Sequence, residues 1–133
     1  AAPPAGSFDV DLPADRALGA IGDSAVVEGF GLGAMAIDHS PEQKKALGAW
    51  LPANSDERRN RLPAGSHPDF SALGIPLGLT ARAVAALGSG PMVGLGILDR
   101  DGEMGRLGGG IFDMPAAPFT AALSTLENRT ARQ

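Results

Sequence analysis

The chain contains no cysteine and only two histidines among its 133 residues. Without cysteine there is no disulfide framework, no thiolate metal site and no cysteine nucleophile. His39 and His67 are too far apart in the sequence to suggest a zinc site. The sequence therefore predicts no metal centre.

Aromatic residues and long apolar runs are also scarce. Aromatics make up 5% of the residues and apolar residues 44%, so we expect a mostly aliphatic core. No apolar stretch approaches the ~20 residues that a membrane-spanning helix needs. The net charge of −4 argues against a nucleic-acid-binding surface, which would be basic. Neither a membrane nor a nucleic acid is predicted as a partner.

The first residues differ in composition from the rest of the chain. Residues 1–21 are rich in proline, alanine and aspartate and are predicted to form an extended arm or linker. Phe8, Val10 and Leu12 alternate with polar residues, which suggests that the arm adds one edge strand to a sheet. Because the chain does not begin with methionine, we interpret it as a processed chain or a piece of a longer protein. Residues 22–133 are predicted to form one domain.

Two helices are indicated by the signals at their ends. Ser40, a proline and then Gln43 are typical of a helix start, and this helix is expected to run to about Leu51. Thr80 is expected to cap a short helix over residues 81–87, which ends at a glycine.

The C-terminal part of the chain combines strands with a helix. Residues 91–98 and 103–112 are predicted to form a β-hairpin around a glycine-containing turn. Residues 115–127 are predicted to form a terminal helix. The predicted fold class is therefore α+β: a glycine-rich β-hairpin or mixed sheet packed by short helices, with a C-terminal helix.

The run from Gly22 to Gly33 concentrates residues suited to a binding or catalytic site. It begins with Asp23 and Ser24, carries one acid at Glu28 among apolar neighbours, and ends with three glycines at alternate positions. Glycine lets a backbone approach a ligand closely, so an acid beside such a loop is a candidate functional group. The alternative is a tight turn in which Asp23 or Ser24 caps a helix.

Two glycine runs are candidate sites for an anion or an amide. Successive unhindered N–H groups at residues 31–33 and 108–110 can form an anion-binding nest. Arg82 and Arg106 are candidates for fork-like contacts to a carboxylate or phosphate. The alternatives are surface cations for the two arginines and a bulge or close strand crossing for residues 108–110.

Four segments occur in a distinctive order along the chain. They are Gly22-Asp23-Ser24-Ala25 with Glu28 and Phe30-Gly31-Leu32-Gly33; Asp69-Phe70 with Gly78-Leu79 and Arg82; Pro91-Met92-Val93 with Gly96-Ile97; and Gly105-Arg106-Leu107-Gly108-Gly109-Gly110. Together they resemble the C-terminal part of the YlbE-like family, whose proteins are considerably longer. Members of that family occur in bacterial allantoin-degradation loci as a subunit of oxamate carbamoyltransferase.

The resemblance implies an activity, partners and site residues. The activity is transfer of a carbamoyl group between oxamate and phosphate, in the cytoplasm, by a chain that works with the rest of its parent protein and with other subunits. The implied catalytic residues are Asp23, Ser24 and Glu28. The predicted substrate contacts are Gly31, Gly33, Asp69, Arg82, Arg106, Gly108, Gly109 and Gly110. No particular cofactor is implied.

The chain departs from the family pattern at positions that are polar there. Gly94-Leu95 replaces an Asn-Thr pair in the strand, Asp99-Arg100 replaces a His-Lys pair in the turn, and Thr80 replaces an acid. If those groups touch the substrate in the family, this chain has a different substrate or lacks the chemistry.

These observations predict part of an enzyme subunit that transfers a carbamoyl or amide group on a small carboxylate substrate. One alternative is an assembly domain of a multi-subunit enzyme without catalytic residues of its own. The other is a secreted module that binds a small ligand.

Overall fold

The computed structural model of the protein describes residues 1–131. Its helices are α1 (Ser24–Gly29), α2 (Pro41–Leu47), α3 (Ser55–Arg61), α4 (Ala81–Leu87) and α5 (Ala117–Thr130). Its strands are β1 (Ala5–Phe8), β2 (Pro63–Ser66), β3 (Pro76–Leu79), β4 (Met92–Leu98) and β5 (Arg106–Asp113). Short 3-10 segments cover Ala14–Arg16, Ala34–His39, Gly48–Trp50 and Pro68–Leu73. The predicted α+β class and its C-terminal helix are confirmed, and the last two residues of the predicted domain lie outside the described residues.

The main sheet has three strands in the order β1-β5-β4, with β5 in the middle. Strands β4 and β5 form the predicted hairpin, whose antiparallel register pairs Gly94 with Ile111 and Gly96 with Gly109. Strand β1 pairs antiparallel with the other edge of β5 and places Ser7 opposite Gly109. Strands β2 and β3 form a separate antiparallel pair. All strand pairs within residues 1–131 are therefore antiparallel.

The N-terminal arm lies along the hairpin. Its edge strand β1 ends at Phe8, so it begins earlier than the alternating residues had suggested. Farther on, Nε and Nη2 of Arg16 donate to the two carboxylate oxygens of Asp99 at 2.9 and 2.7 Å. Three backbone N–H groups of the hairpin turn donate to the same buried carboxylate. The Arg16 hydrogen bonds hold the pKa of Asp99 well below its ordinary value, and the pair attaches the arm to the turn.

Three glycines allow β1 and β5 to lie close together. A Cβ atom at Gly6, Gly108 or Gly110 would overlap backbone atoms of the facing strand. At Gly108 and Gly110 the structure therefore shows a close approach of two strands, and β5 is paired along both edges there.

The main hydrophobic cluster lies on one face of the hairpin. Met92 and Ile111 project from this face, and Met35, Leu62 and Val84 pack with them. Helices α4 and α5 pack against each other and cover this core. Because side chains alternate between the two faces of a strand, the next positions on the same face are glycines, and the core ends there.

The predicted helices form close to their expected bounds. Helix α4 follows Thr80, whose Oγ1 accepts a hydrogen bond from the backbone N–H of Ala83 at 3.0 Å. It ends at Gly88, which has a φ of 72°. Helix α2 begins at Pro41 and continues as a 3-10 turn to Trp50, near the predicted end.

Candidate functional site

Glu28 is buried beneath the start of the 3-10 segment Ala34–His39. Glu28 is 1% exposed, and one of its carboxylate oxygens accepts a hydrogen bond from the backbone N–H of Ala34. The other oxygen accepts the backbone N–H of Met35 at 3.0 Å. A Cβ atom at Gly33 would overlap this carboxylate, so glycine is required there for close approach. Glu28 therefore satisfies backbone donors that the start of the segment would otherwise leave unpaired.

The environment of Glu28 acts on its pKa in two directions. Burial raises the pKa of the carboxyl above its ordinary value, because the charged form loses its hydration. The backbone N–H groups of Met35, Ala34 and Gly94 favour the charged form and oppose part of this rise.

Asp23 and Ser24 stand at the start of helix α1. Asp23 occupies the N-cap position, but its side chain makes no capping hydrogen bond. Ser24 contributes to a small cavity of about 80 Å³ next to Val93 and Phe112. Residues 25–27 are helical.

A cleft of about 690 Å³ opens beside the hairpin. One wall is formed by the segment from Leu32 to Ser40, and a second by α2 residues that include Gln43 and Leu47. The arm adds Ser7 and Asp9 at the rim, and Ile75 lies on the far side. The cleft therefore lies where the core ends.

The floor of the cleft is formed by Gly94, Gly96 and Gly109, which we call the glycine floor. They share one face of the hairpin, since Gly96 pairs with Gly109 and Gly94 lies two residues before Gly96. A Cβ atom at Gly109 would lie 3.5 Å from Leu47 Cδ2. At Gly94 and Gly96 the nearest atoms would lie at 3.7 and 3.6 Å, which is ordinary contact. These glycines are therefore not needed for backbone packing, and their effect is to let neighbouring side chains, Arg106 among them, lie close to the sheet surface.

Arg106 supplies the positive charge of the cleft. Its Nη1 donates to Asp9 Oδ2 at 3.0 Å. Within residues 1–131, its Nε and Nη2 have no hydrogen-bond partner. Nε lies 3.6 Å from the point that a Cβ atom on Gly96 would occupy, and Nη2 lies 3.6 Å from the corresponding point on Gly109. The guanidinium thus lies over the glycine floor, and two of its nitrogen donors are not engaged by the described residues.

His39, Ser40 and Gln43 are further polar side chains along the cleft. His39 also lines a second cavity of about 340 Å³, where Arg59 forms ion pairs with Asp38 and Asp56. Because those charges are already paired with each other, we place the candidate site in the larger cleft.

The structure brings three of the predicted site residues together in the cleft: Gly33, Arg106 and Gly109. Others lie elsewhere. Gly31 is buried in the turn after α1 with a φ of 77°, and Asp69 is exposed at the start of Pro68–Leu73. Arg82 is exposed on α4, with Nη1 3.9 Å from Glu127 Oε1.

Other residues of the cleft were not predicted as site residues. Gly94 was noted only as a departure from the family pattern, and His39 only as an isolated histidine. Gly94 and Gly96 alternate in one strand of a hairpin whose other strand carries Gly109. This alternation was the available signal for the glycine floor.

Two classes of site are not found among the described residues. Residues 1–131 hold no group of three or more His, Cys, Asp or Glu side chains that could bind a metal ion. No helix in the same range has the length and apolar character needed to cross a membrane.

Comparisons with known proteins give distant relatives. No protein-family model matches the chain. The chain is 30% identical over 131 residues to oxamate carbamoyltransferase subunit AllG of Escherichia coli K12, an alignment that covers 92% of this chain and 31% of that protein. It is 28% identical over 118 residues to the uncharacterized protein YahG of the same strain, covering 84% of this chain and 25% of YahG. The chain thus spans less than a third of these relatives.

A solved structure shares the fold. The crystal structure of a conserved protein of unknown function from Enterococcus faecalis V583 matches with a TM-score of 0.76 at 23% identity. The match covers 96% of this chain and 32% of that protein. These findings establish a distant relationship to a carbamoyltransferase subunit and a fold found within a longer protein.

Proposed function

We propose that this chain is part of an enzyme subunit that transfers a carbamoyl or amide group on a small carboxylate substrate, with oxamate as the substrate to test first. The observation that carries the proposal is the free guanidinium edge of Arg106 above the glycine floor. The distant relationship to an oxamate carbamoyltransferase subunit supports it.

The geometry suits a carboxylate at Arg106. A guanidinium binds a carboxylate through two parallel N–H donors, and Nε with Nη2 offers such a pair. Arg106 and its partner Asp9 are each 61% exposed, and exposed ion pairs contribute at most about 1 kcal/mol. A ligand carboxylate can therefore bind without a large cost from this pair.

Carbamoyl transfer also needs a proton donor or acceptor near the reacting nitrogen. We assign this role to His39, because an imidazole can donate or accept a proton and this side chain lines the cleft.

Glu28 enters the proposal as a positioning residue. Its carboxylate holds the N–H groups of Ala34 and Met35, at the start of the segment that forms one cleft wall. Asp23, Ser24, Asp69 and Arg82 lie outside the cleft and take no part in the proposal.

A second candidate function is assembly with other chains of the same enzyme. Helix α1 exposes Val26 and Val27 to 62 and 48%, and Phe30, directly after the helix, is 57% exposed, which gives α1 and its C-terminal end an apolar outer face. Exposed apolar patches of this kind are typical of interaction sites. The relative AllG is named as a subunit, and we propose that another enzyme subunit or the rest of the parent chain covers this face.

The test of the catalytic proposal measures carbamoyl transfer between carbamoyl phosphate and oxamate by the intact enzyme with its partner subunits. Arg106→Gln should lower kcat/KM by about 10- to 100-fold, since hydrogen bonds to charged groups contribute about 1.5–3 kcal/mol. Arg100→Gln, on the exposed hairpin turn outside the cleft, is the matched control and should behave as wild type. Unchanged kcat/KM in Arg106→Gln would overturn the proposal.

A further inference from the structure

The cleft is larger and more apolar than a two-carbon acid amide requires. Its volume of about 690 Å³ lies within the range of roughly 300–1,000 Å³ that encloses drug-sized ligands. Oxamate carries only a carboxylate and an amide, both polar. Most of the cleft would therefore stay empty around oxamate held at Arg106.

Aliphatic side chains line the cleft away from its charged end. Leu32 and Ile37 come from the wall segment, Leu47 from α2 and Ile75 from the far side. Leu32 is 42% exposed, although burying it elsewhere would stabilise the fold. An exposed leucine beside other aliphatic groups gives the cleft an apolar surface that a ligand can cover.

The positive charge of the cleft comes from Arg106, and the negative charge from Asp9, which is bound to Nη1 of that arginine. The other polar side chains are an imidazole, an amide and two hydroxyls. The arrangement is thus one anchor for a carboxylate next to a continuous apolar lining.

We infer that the cleft binds a carboxylate with an aliphatic body, with its carboxylate at Arg106 and its chain over the glycine floor toward Leu32 and Ile75. This inference rests on the proposed function, because it places the acid-amide end of the substrate at the same arginine. It adds that the amide nitrogen of the substrate carries an alkyl chain of several carbons.

N-alkyl oxamates test the inference, since they differ from oxamate only in a chain on the amide nitrogen. Binding of oxamate, N-propyl oxamate and N-pentyl oxamate to the intact protein is measured by titration calorimetry. Each fully buried methylene strengthens binding by up to about fourfold. Because the cleft is open on one side, we expect N-pentyl oxamate to bind about tenfold more tightly than oxamate.

Two leucine variants locate the chain. Leu32→Asn should remove most of the gain for N-pentyl oxamate. Leu98→Asn is the control, because Leu98 is similarly exposed at 38% but lies outside the cleft. Thermal unfolding of both variants verifies that they are folded.

The outcomes separate the two claims. Oxamate binding with no gain from a longer chain would overturn the inference and leave the proposed function standing. A gain that Leu32→Asn does not reduce would also overturn it, since the chain would then lie elsewhere. Absence of binding by oxamate and by both alkyl derivatives would overturn the proposed function and, with it, the inference.

Discussion

Two adjacent glycines of β5 should respond in opposite ways to the same substitution. Gly108 faces β1, and a Cβ atom there would overlap the backbone carbonyl of Ser7. Gly109 faces the cleft, and a Cβ atom there would meet side-chain atoms of Leu47 and Arg106 at 3.5 and 3.6 Å. Neither glycine has a positive φ, so the backbone itself accepts alanine at both positions.

The free energies of unfolding should therefore differ between the two variants. In Gly108→Ala the backbone of β1 must move away, and overpacking of this kind costs about 1–3 kcal/mol. In Gly109→Ala the contact is ordinary, and the loss of unfolded-state freedom stabilises the fold by about 0.4–1 kcal/mol. For a domain of this size 1 kcal/mol corresponds to roughly 3–4 °C in Tm, so the two Tm values should differ by roughly 4–16 °C.

Urea unfolding followed by circular dichroism measures the difference in free energy of unfolding. Titration with oxamate measures ligand binding by each folded variant. Gly109→Ala should be more stable than wild type and bind oxamate at least about threefold more weakly, because its methyl group occupies the glycine floor. Equal destabilisation by the two substitutions would refute the assignment of opposite faces. Wild-type oxamate affinity in Gly109→Ala would refute the role of the floor.

Three further predictions concern other parts of the molecule. Burial raises the folded-state pKa of Glu28 above its ordinary 4.5, so its contribution to stability is present below pH 4.5 and is lost as the pH rises through the folded pKa. Glu28→Gln should therefore flatten the pH dependence of the free energy of unfolding, measured with urea, over this range. An unchanged pH dependence would contradict the burial of this carboxyl. Asp99→Asn should detach the arm from the hairpin turn and speed amide hydrogen exchange in β1, whereas wild-type exchange would show that Arg16 is not needed there. Phe30→Ser should weaken association of the chain with other enzyme subunits in analytical ultracentrifugation, and an unchanged assembly would remove the α1 face from the interface.

Local signals predicted helices α2, α4 and α5 and the hairpin because their causes are local. Thr80 and Gly88 lie at the two ends of α4, and their hydroxyl and left-handed backbone act within one turn. The two apolar runs that became β4 and β5 are separated by a short turn, so their pairing was also predictable.

The site could be predicted only in part, because it depends on contacts between distant segments. Arg106 and Gly109 were predicted, but their neighbour Leu47 comes from α2, far away in the sequence. Glu28 was predicted to be a functional acid, and only the fold reveals the two backbone N–H groups that donate to its carboxylate. Which glycines face the cleft and which face β1 depends on strand register, and a shift by one residue would exchange the two sets.

The central claim is that a small carboxylate binds at Arg106 above the glycine floor. Its most direct test follows the backbone amide resonances of the protein during titration with oxamate, in wild type and in Arg106→Gln. The account predicts saturable shifts at Gly96 and Gly109 in wild type and at least about tenfold weaker binding in the variant. Shifts centred on Asp23 and Ser24 instead, or equal affinity in the two proteins, would contradict it.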